Sequence, residues 1–180
     1  MTKKQEELVN AYLSQFENEA KQLFGKIISF LCEMGFYPRK AGTSISFVSA
    51  IHNKQIAKIG AHIKKGQMPT PKFSMRFSSS NAYSQRFTKI VHDAVVKVTA
   101  SNHYRLARCL TGECSVCHGE PEAHIYKSIL PNGEVITSCG VYAIEIPNIT
   151  VDDFDEIKQL ITKEHEYLVS HEANTASQAQ

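Results

Sequence analysis

The chain has 180 residues, of which 42% are apolar and 21% charged, and its formal net charge is +2. This length and composition predict one globular domain that needs no disulfide bonds to fold, and so small a charge does not by itself indicate nucleic-acid binding. No apolar run approaches the roughly 20 residues that span a bilayer. The first residues also lack the apolar stretch of a secretory signal. We therefore expect a cytoplasmic protein with reduced cysteines and no membrane contact.

Apolar residues recur at helical spacing from about Lys3 to Met34, which predicts one long amphipathic helix, bent at Gly25. Cys32 falls on its apolar side and is predicted to be a core residue. Glutamate and lysine residues fill the other side, which we expect to be solvated. The segment GFYPRKAG that follows is rich in turn-forming residues and is expected to end the helix.

Three segments then alternate apolar and polar residues with a period of two, which predicts three half-buried strands: TSISFVSAI, KQIAKIGAHIKK and PKFSMRFS. The outward face of the second and third strands collects basic residues, namely Lys58, His62, Lys64, Lys72 and Arg76. A basic sheet face can bind anionic ligands or nucleic acid. Sheets that bind RNA usually carry aromatic residues there for base stacking, and none is expected on this face. A solvated face is therefore the favoured interpretation.

The segment SSSNAYSQRFTKIVHDAVVKV predicts a second helix with Ser80 or Asn81 as its N-cap. Further along, AHIYKSILPNGEVITSCGVYAIEI is typical of a hairpin around Asn132–Gly133. The last helix is predicted in PNITVDDFDEIKQLITKEHEYLV, where Thr150 suits the N-cap and two aspartates suit the positive end of the helix dipole.

The order of these elements predicts a single α+β domain over residues 1–170. We expect a mostly antiparallel twisted sheet of about five strands, three helices, and a zinc-knuckle-like loop before the C-terminal hairpin. Residues 171–180 are polar and are predicted to form a disordered tail.

The pentapeptide CSVCH, from Cys114 to His118, is compatible with three chemistries. Covalent haem attachment does not suit the expected reducing location. A thioredoxin-like pair needs a helix directly after the cysteines, where the sequence has a Gly-Glu-Pro turn followed by a strand. A zinc site is favoured, because four cysteines lie within 31 residues at the spacing C-x4-C-x2-C-x21-C. The alternative is that these cysteines are buried or free thiols.

The expected ligands of a structural zinc ion are Cys109, Cys114, Cys117 and Cys139, with His124 or His118 as a substitute for the fourth ligand. A two-residue turn at Asn132–Gly133 predicts that Cys139 lies opposite Tyr126, with His124 diagonally across from it. Four thiolate ligands leave no open coordination position on zinc, so such a site stabilises the fold and does not catalyse a reaction.

The sequence from RFSSSNAYSQRFTKIVHDAV through CSVC to SCGVYAIEIPNITVDDFDEIKQLITKEHEYL resembles small uncharacterised bacterial proteins that are grouped as domains of unknown function. In these proteins, a Cys-x2-Cys pair and a later Cys-Gly flank a C-terminal hairpin that precedes a helix. The resemblance covers roughly the second half of the chain. It implies an α+β fold with a metal-clipped hairpin, and it implies no activity.

The leading functional hypothesis is a non-enzymatic cytoplasmic domain with a structural zinc ion that binds a small molecule or a protein. The first alternative is binding of nucleic acid or an anionic ligand through the basic strand face. The second is a zinc-dependent or thiol enzyme, which requires an open metal position or a reactive cysteine. No Gly-x-Ser-x-Gly or His-Glu-x-x-His motif is present, and we predict no catalytic residue. The sequence indicates no particular oligomeric state.

Overall fold

The computed structural model describes residues 1–51, 53–77, 79, 84–101, 125–129, 132–139 and 143–178. The helices in these ranges are α1 (Lys3–Leu13), α2 (Asn18–Glu33), α3 (Gln85–Ser101) and α4 (Phe154–Gln178), and a 3₁₀ turn at Val151–Asp153 leads into the last of them. The strands are β1 (Phe36–Ala41), β2 (Ser44–Ser49), β3 (Gln55–His62), β4 (Thr70–Met75), β5 (Ile125–Ile129), β6 (Val135–Cys139) and β7 (Ile144–Ile146).

Five of these strands form one antiparallel sheet in the order β1-β2-β3-β4-β7, and β5 pairs only with β6. The predicted α+β class is therefore confirmed. The described residues contain four helices where the sequence predicted three.

The two faces of the five-stranded sheet differ in chemistry. Strand register brings five residues into one row, so all of them lie on a single face, which we call the polar face: Arg39, Ser46, Lys58, Ser74 and Glu145. The opposite face carries two apolar rows, Ile45–Ile59–Phe73–Ile146 and Phe47–Ala57–Met75–Ile144, all of them buried.

The helices cover the apolar rows and complete one continuous core. Helices α1 and α2 pack against β1, α4 packs against α2 and β3, and α3 packs against β7 and the β5–β6 hairpin. Helix α2 contributes Ile27 and Leu31 to this core, and α4 contributes Ile157 and Ile161. Each such side chain is fully buried, which stabilises the fold by about 1.5–3 kcal/mol relative to an exposed side chain.

The prediction of a single N-terminal helix bent at Gly25 is wrong, because the helix breaks at residues 14–17 and Gly25 lies inside α2. One straight helix of that length would extend about 45 Å, roughly twice the length of the strands it covers. The break brings Phe16 against Tyr12, with 4.8 Å between ring centroids. The Tyr12 hydroxyl donates a hydrogen bond of 2.8 Å to the Gly60 carbonyl, which joins α1 to β3.

The segment expected only to end the first helix forms strand β1. Gly35 and Gly42, which flank it, have φ angles of +83° and +62° that suit the turns on either side. Pro38 lies within the strand and lacks an N–H group, and β1 tolerates it because β1 is an edge strand.

The C-terminal hairpin is shorter than predicted and has a different register. Strand β7 leaves the hairpin and pairs with β4. The last hairpin pair is Ile129 with Val135, so five residues separate the strands and the expected two-residue turn is wrong. As a consequence Cys139 lies opposite Ile125, and Tyr126 pairs with Ser138.

The predicted start of the last helix is confirmed. The Thr150 N–H donates to Oδ2 of Asp153 at 2.8 Å, and Nη2 of Arg86 approaches the same oxygen at 3.2 Å, which ties α3 to the start of α4. Helix α4 continues to Gln178, so its helical backbone covers most of the segment predicted as a disordered tail. Helix α3 is capped by Ser84, whose hydroxyl accepts from the Phe87 N–H at 3.2 Å.

Candidate binding surfaces and metal centre

The predicted zinc ligands lie mostly outside the described residues. This holds for Cys109, Cys114, Cys117 and both histidine substitutes, His118 and His124. Cys139 is the last residue of β6. Its backbone lies opposite that of Ile125, at the open end of the hairpin. Among the side chains that the structure describes, no group of three or more His, Cys, Asp or Glu could hold a metal ion. The four-cysteine zinc site therefore stays a prediction.

Cys32 is a free cysteine that is partly buried and packs against the core, as its position on the apolar side of the helix predicted. Burial raises the pKa of its thiol. A reactive cysteine requires a lowered pKa, so Cys32 has the properties of a structural residue.

The basic strand face is only partly as predicted. Lys58 and Lys72 lie on the polar face and remain partly exposed. Lys64 follows β3 and is exposed. Arg76, by contrast, is 5% exposed, and its Nε lies 3.4 Å from Oε1 of Glu164 on α4. Arg76 follows the last residue of β4, and its backbone N–H donates to the carbonyl of the buried Ile56 at 3.0 Å. Its side chain is buried against Glu164 of α4 and does not lie on an open strand face.

An acidic residue offsets part of the remaining positive charge. Glu145 on β7 accepts a hydrogen bond of 2.7 Å from Nε2 of His62, and its other carboxylate oxygen contacts the Lys72 ammonium. Partial burial acts to raise the pKa of Glu145, but the hydrogen bonds and positive charges of Lys72 and His62 outweigh it, so the pKa lies below its usual value. The polar face therefore carries an ion-pair cluster at the β7 edge.

Strand β1 adds two residues to the polar face that the sequence analysis missed. Arg39 pairs with Ser46, and Tyr37 lies on the same side by alternation. The Arg39 guanidinium lies 5.9 Å from the Tyr37 ring centroid, within cation–π range. The alternation of Phe36, Tyr37, Pro38 and Arg39 carried this signal, and the proline and flanking glycines obscured it.

An open groove of about 770 Å³ runs between α2 and α4. Its lining residues on α2 recur at intervals of three and four and so share one side of the helix: Gln22, Gly25, Lys26, Ser29, Phe30 and Glu33. Phe154 and Lys158 line it from α4. The α2 lining extends about 16 Å along the helix axis. This side of α2 was expected to be merely solvated.

The chemistry of the groove is mixed. Phe30 and Phe154 are half-buried, so part of each ring stays accessible. The Lys158 ammonium lies 4.9 Å from the Phe154 ring centroid and 2.7 Å from Oδ1 of Asp155. Lys26 and Glu33 are exposed, and neither makes an ion pair within the described part of the chain. An aromatic floor with charges at its edge is typical of a protein-binding surface.

No protein-family model, no curated protein and no solved structure matches this chain. The resemblance to bacterial domains of unknown function therefore stays a prediction. In the part of the chain that the structure describes, no helix has the length and apolar character needed to cross a membrane.

Proposed function

We propose that this protein is a cytoplasmic, non-enzymatic interaction domain that binds a protein partner through the α2–α4 groove, with a structural zinc ion holding its C-terminal hairpin. The observation that carries the proposal is the groove itself, an open channel with accessible aromatic surface and with two charges, Lys26 and Glu33, that make no ion pair to the described residues. A small-molecule pocket usually encloses most of its ligand's surface. A groove open along one side suits a helix or an extended peptide better.

Selection of peptides from a random phage-displayed library on immobilised protein tests the groove. We expect enriched peptides to lose binding to Gln22→Arg, which places a bulky cation in the groove. The same change at Gln67, an exposed residue between β3 and β4, is the matched control and should leave binding intact. Enriched peptides that bind Gln22→Arg as well as wild type, or no enrichment at all on monomeric protein, would contradict the proposal.

The zinc part of the proposal is supported by the sequence spacing and by the position of Cys139. The ladder of the hairpin ends at the pair of Ile125 and Cys139. Cys117 precedes Ile125 by only eight residues in the sequence, and an extended chain of that length can span up to about 26 Å. This short connection supports a site that brings Cys117 and Cys139 together. Zinc there would add to the packing of α3 in stabilising the two-stranded hairpin.

Elemental mass spectrometry of untagged protein tests the zinc site. We expect one zinc ion per chain in wild type and in the control Cys32→Ser, and loss of zinc together with thermal stability in Cys114→Ser and Cys139→Ser. Metal-free wild-type protein that remains stable would contradict this site and would favour free thiols.

A second candidate function is binding of an anionic ligand or nucleic acid at the polar face. It is favoured by the addition of two residues of β1 to the polar face: Arg39, in the row that contains Lys58, and Tyr37, which lies beside Arg39 on the same side of the strand. Burial of Arg76 and the pairing of Lys72 with Glu145 weaken it. Salt-dependent retention on heparin that falls in Arg39→Glu and Lys58→Glu, but not in the control Lys65→Glu, would support this candidate. No retention of wild type at low salt would exclude it.

A further inference from the structure

We propose that the partner of the α2–α4 groove is a second copy of this chain, which docks its own α2 antiparallel to the first about a twofold axis. This inference rests on the proposed function, because it names the occupant of the same groove. Three features of the groove support a twofold contact between identical surfaces, in which each patch must complement itself.

The first feature is the arrangement of charge. In an antiparallel pair of α2 helices with the axis between Ser29 and Phe30, Lys26 lies opposite the partner's Glu33, and Glu33 opposite the partner's Lys26. Both residues are exposed and make no ion pair within the described part of their own chain. They are also separated by about 10 Å along their own helix, too far to pair with each other. The surface therefore carries two unpaired opposite charges at positions that twofold symmetry matches.

The second feature is the accessible part of Phe30. The same symmetry places Phe30 opposite the partner's Ser29, a small residue one turn from Gly25. Both small residues line the groove, so each copy offers an aromatic side chain and a shallow depression that can receive it. Burial of two aromatic surfaces supplies most of the favourable energy in contacts of this kind.

The third feature is Gly25, which nothing in the described part of the monomer explains. It lies inside α2 with an ordinary helical backbone, and a Cβ atom added there would meet no other atom within 4 Å. A helix with glycine at an interior position is less stable than the same helix with alanine there. In the register that the twofold axis sets, Gly25 lies opposite the partner's Met34, directly after the partner's α2 ends, and the absence of a side chain leaves room for the end of that helix.

Sedimentation velocity over a range of protein concentrations tests the proposal with charge reversal. Wild type should sediment as a dimer at high concentration. Lys26→Glu and Glu33→Lys should each weaken the dimer at least tenfold, because symmetry makes every reversal create two like-charge contacts. The double variant Lys26→Glu/Glu33→Lys restores both pairs and should dimerise like wild type. A monomer at every concentration, or a dimer that neither single reversal weakens, would overturn the proposal.

Gly25→Leu separates self-association from folding. Leucine favours the helix, and a Cβ atom at this position meets no other atom within 4 Å, so the melting temperature measured under monomeric conditions should rise. The new side chain also occupies the space that faces the end of the partner's α2, one turn from Ser29, and dimer affinity should fall at least tenfold. An unchanged dimer affinity in this variant would contradict the predicted packing.

The two proposals can fail separately. If the chain is monomeric but selected peptides still lose binding to Gln22→Arg, the groove binds a different protein and only the self-association is wrong. If the chain is monomeric and no groove-dependent peptide is found, both proposals are wrong. A dimer that follows the charge reversals supports both.

Discussion

Two of the carboxylates that face basic side chains in the described residues differ in burial. Glu164 on α4 is 0% exposed, and its partner Arg76 is 5% exposed. Glu145 on β7 is 35% exposed, and Lys72 and His62 beside it are 36% and 52% exposed. The pair of Arg76 and Glu164 joins the end of β4 to α4. The cluster of Glu145, Lys72 and His62 lies at one edge of the polar face.

The buried carboxylate also holds the backbone that leads into α3. Oε2 of Glu164 accepts from the Ser79 N–H at 2.9 Å, and Glu156, two turns earlier on α4, accepts from the Ser84 N–H at 2.7 Å. Glu164 therefore has both an ionic and a backbone partner inside the protein, where water cannot replace either of them. Around Glu145, water can replace a lost partner. The cost of losing an ion pair therefore depends on how deeply the pair is buried rather than on how many pairs the carboxylate makes.

The largest expected effect is that of Glu164→Ala. The change leaves the Arg76 guanidinium buried without a counter-charge and removes the acceptor of the Ser79 N–H. We expect the free energy of unfolding, measured by urea denaturation, to fall by about 3–5 kcal/mol. Glu166→Ala, an exposed change on the same helix, should alter it by less than about 0.5 kcal/mol. A loss below about 1 kcal/mol in Glu164→Ala would contradict the comparison.

We expect a smaller loss in the free energy of unfolding when both Arg76 and Glu164 are replaced by apolar residues. Nε and Nη2 of Arg76 are buried and make no hydrogen bond to any residue that the structure describes, so the arginine is incompletely compensated. The double variant Arg76→Met/Glu164→Leu removes both charges, and we expect it to be more stable than either single variant by at least about 1 kcal/mol. A double-mutant cycle from urea denaturation measures this coupling. Additive losses would mean that the pair does not act as a unit.

Much of the fold was predictable because it is encoded in local periodicity. Alternation identified β2, β3 and β4, and the capping residue Thr150 marked the start of the last helix. The break at residues 14–17 has no such signal, because it follows from the size of the sheet that the helices must cover. The burial of Arg76 was unpredictable for a similar reason, since it depends on a helix about 90 residues later in the chain.

The candidate surfaces were less predictable than the fold. The apolar stripe of α2 identifies the side that packs on the core, and the glutamate and lysine residues on the other side indicated only that it faces solvent. That side becomes a groove only because Phe154 and Lys158 of α4 lie beside it, and no pattern within α2 specifies this neighbour. The signal that could have found it was Gly25, a helix-destabilising residue inside a strong helical pattern.

The smallest expected effect is that of Glu145→Gln, which removes the charge at the exposed cluster and keeps the side-chain shape. Because the carboxylate and its partners are about one-third exposed or more, solvent screens their interaction. We expect a loss of only about 0.3–0.8 kcal/mol in the free energy of unfolding at neutral pH. Glu134→Gln, an exposed change in the turn of the hairpin, is the matched control and should have no measurable effect.

The free energy of unfolding should differ between wild type and Glu145→Gln by an amount that depends on pH. This pH dependence is a sharper test than the size of the difference. The pKa of Glu145 is lower in the folded protein than its usual value of 4.5, so its charge stabilises the fold fully at pH values above that value. The stabilisation declines as the pH falls below about 4.5 and disappears once the pH is below the folded-state pKa, where Glu145 is protonated in both states. Urea denaturation of wild type and Glu145→Gln should therefore give stabilities that differ at pH 5.5 and converge in more acidic buffer. A difference that grows as the pH falls below 5.5 would mean that the net effect of its surroundings on Glu145 is unfavourable to its charged form, contrary to the contacts with Lys72 and His62.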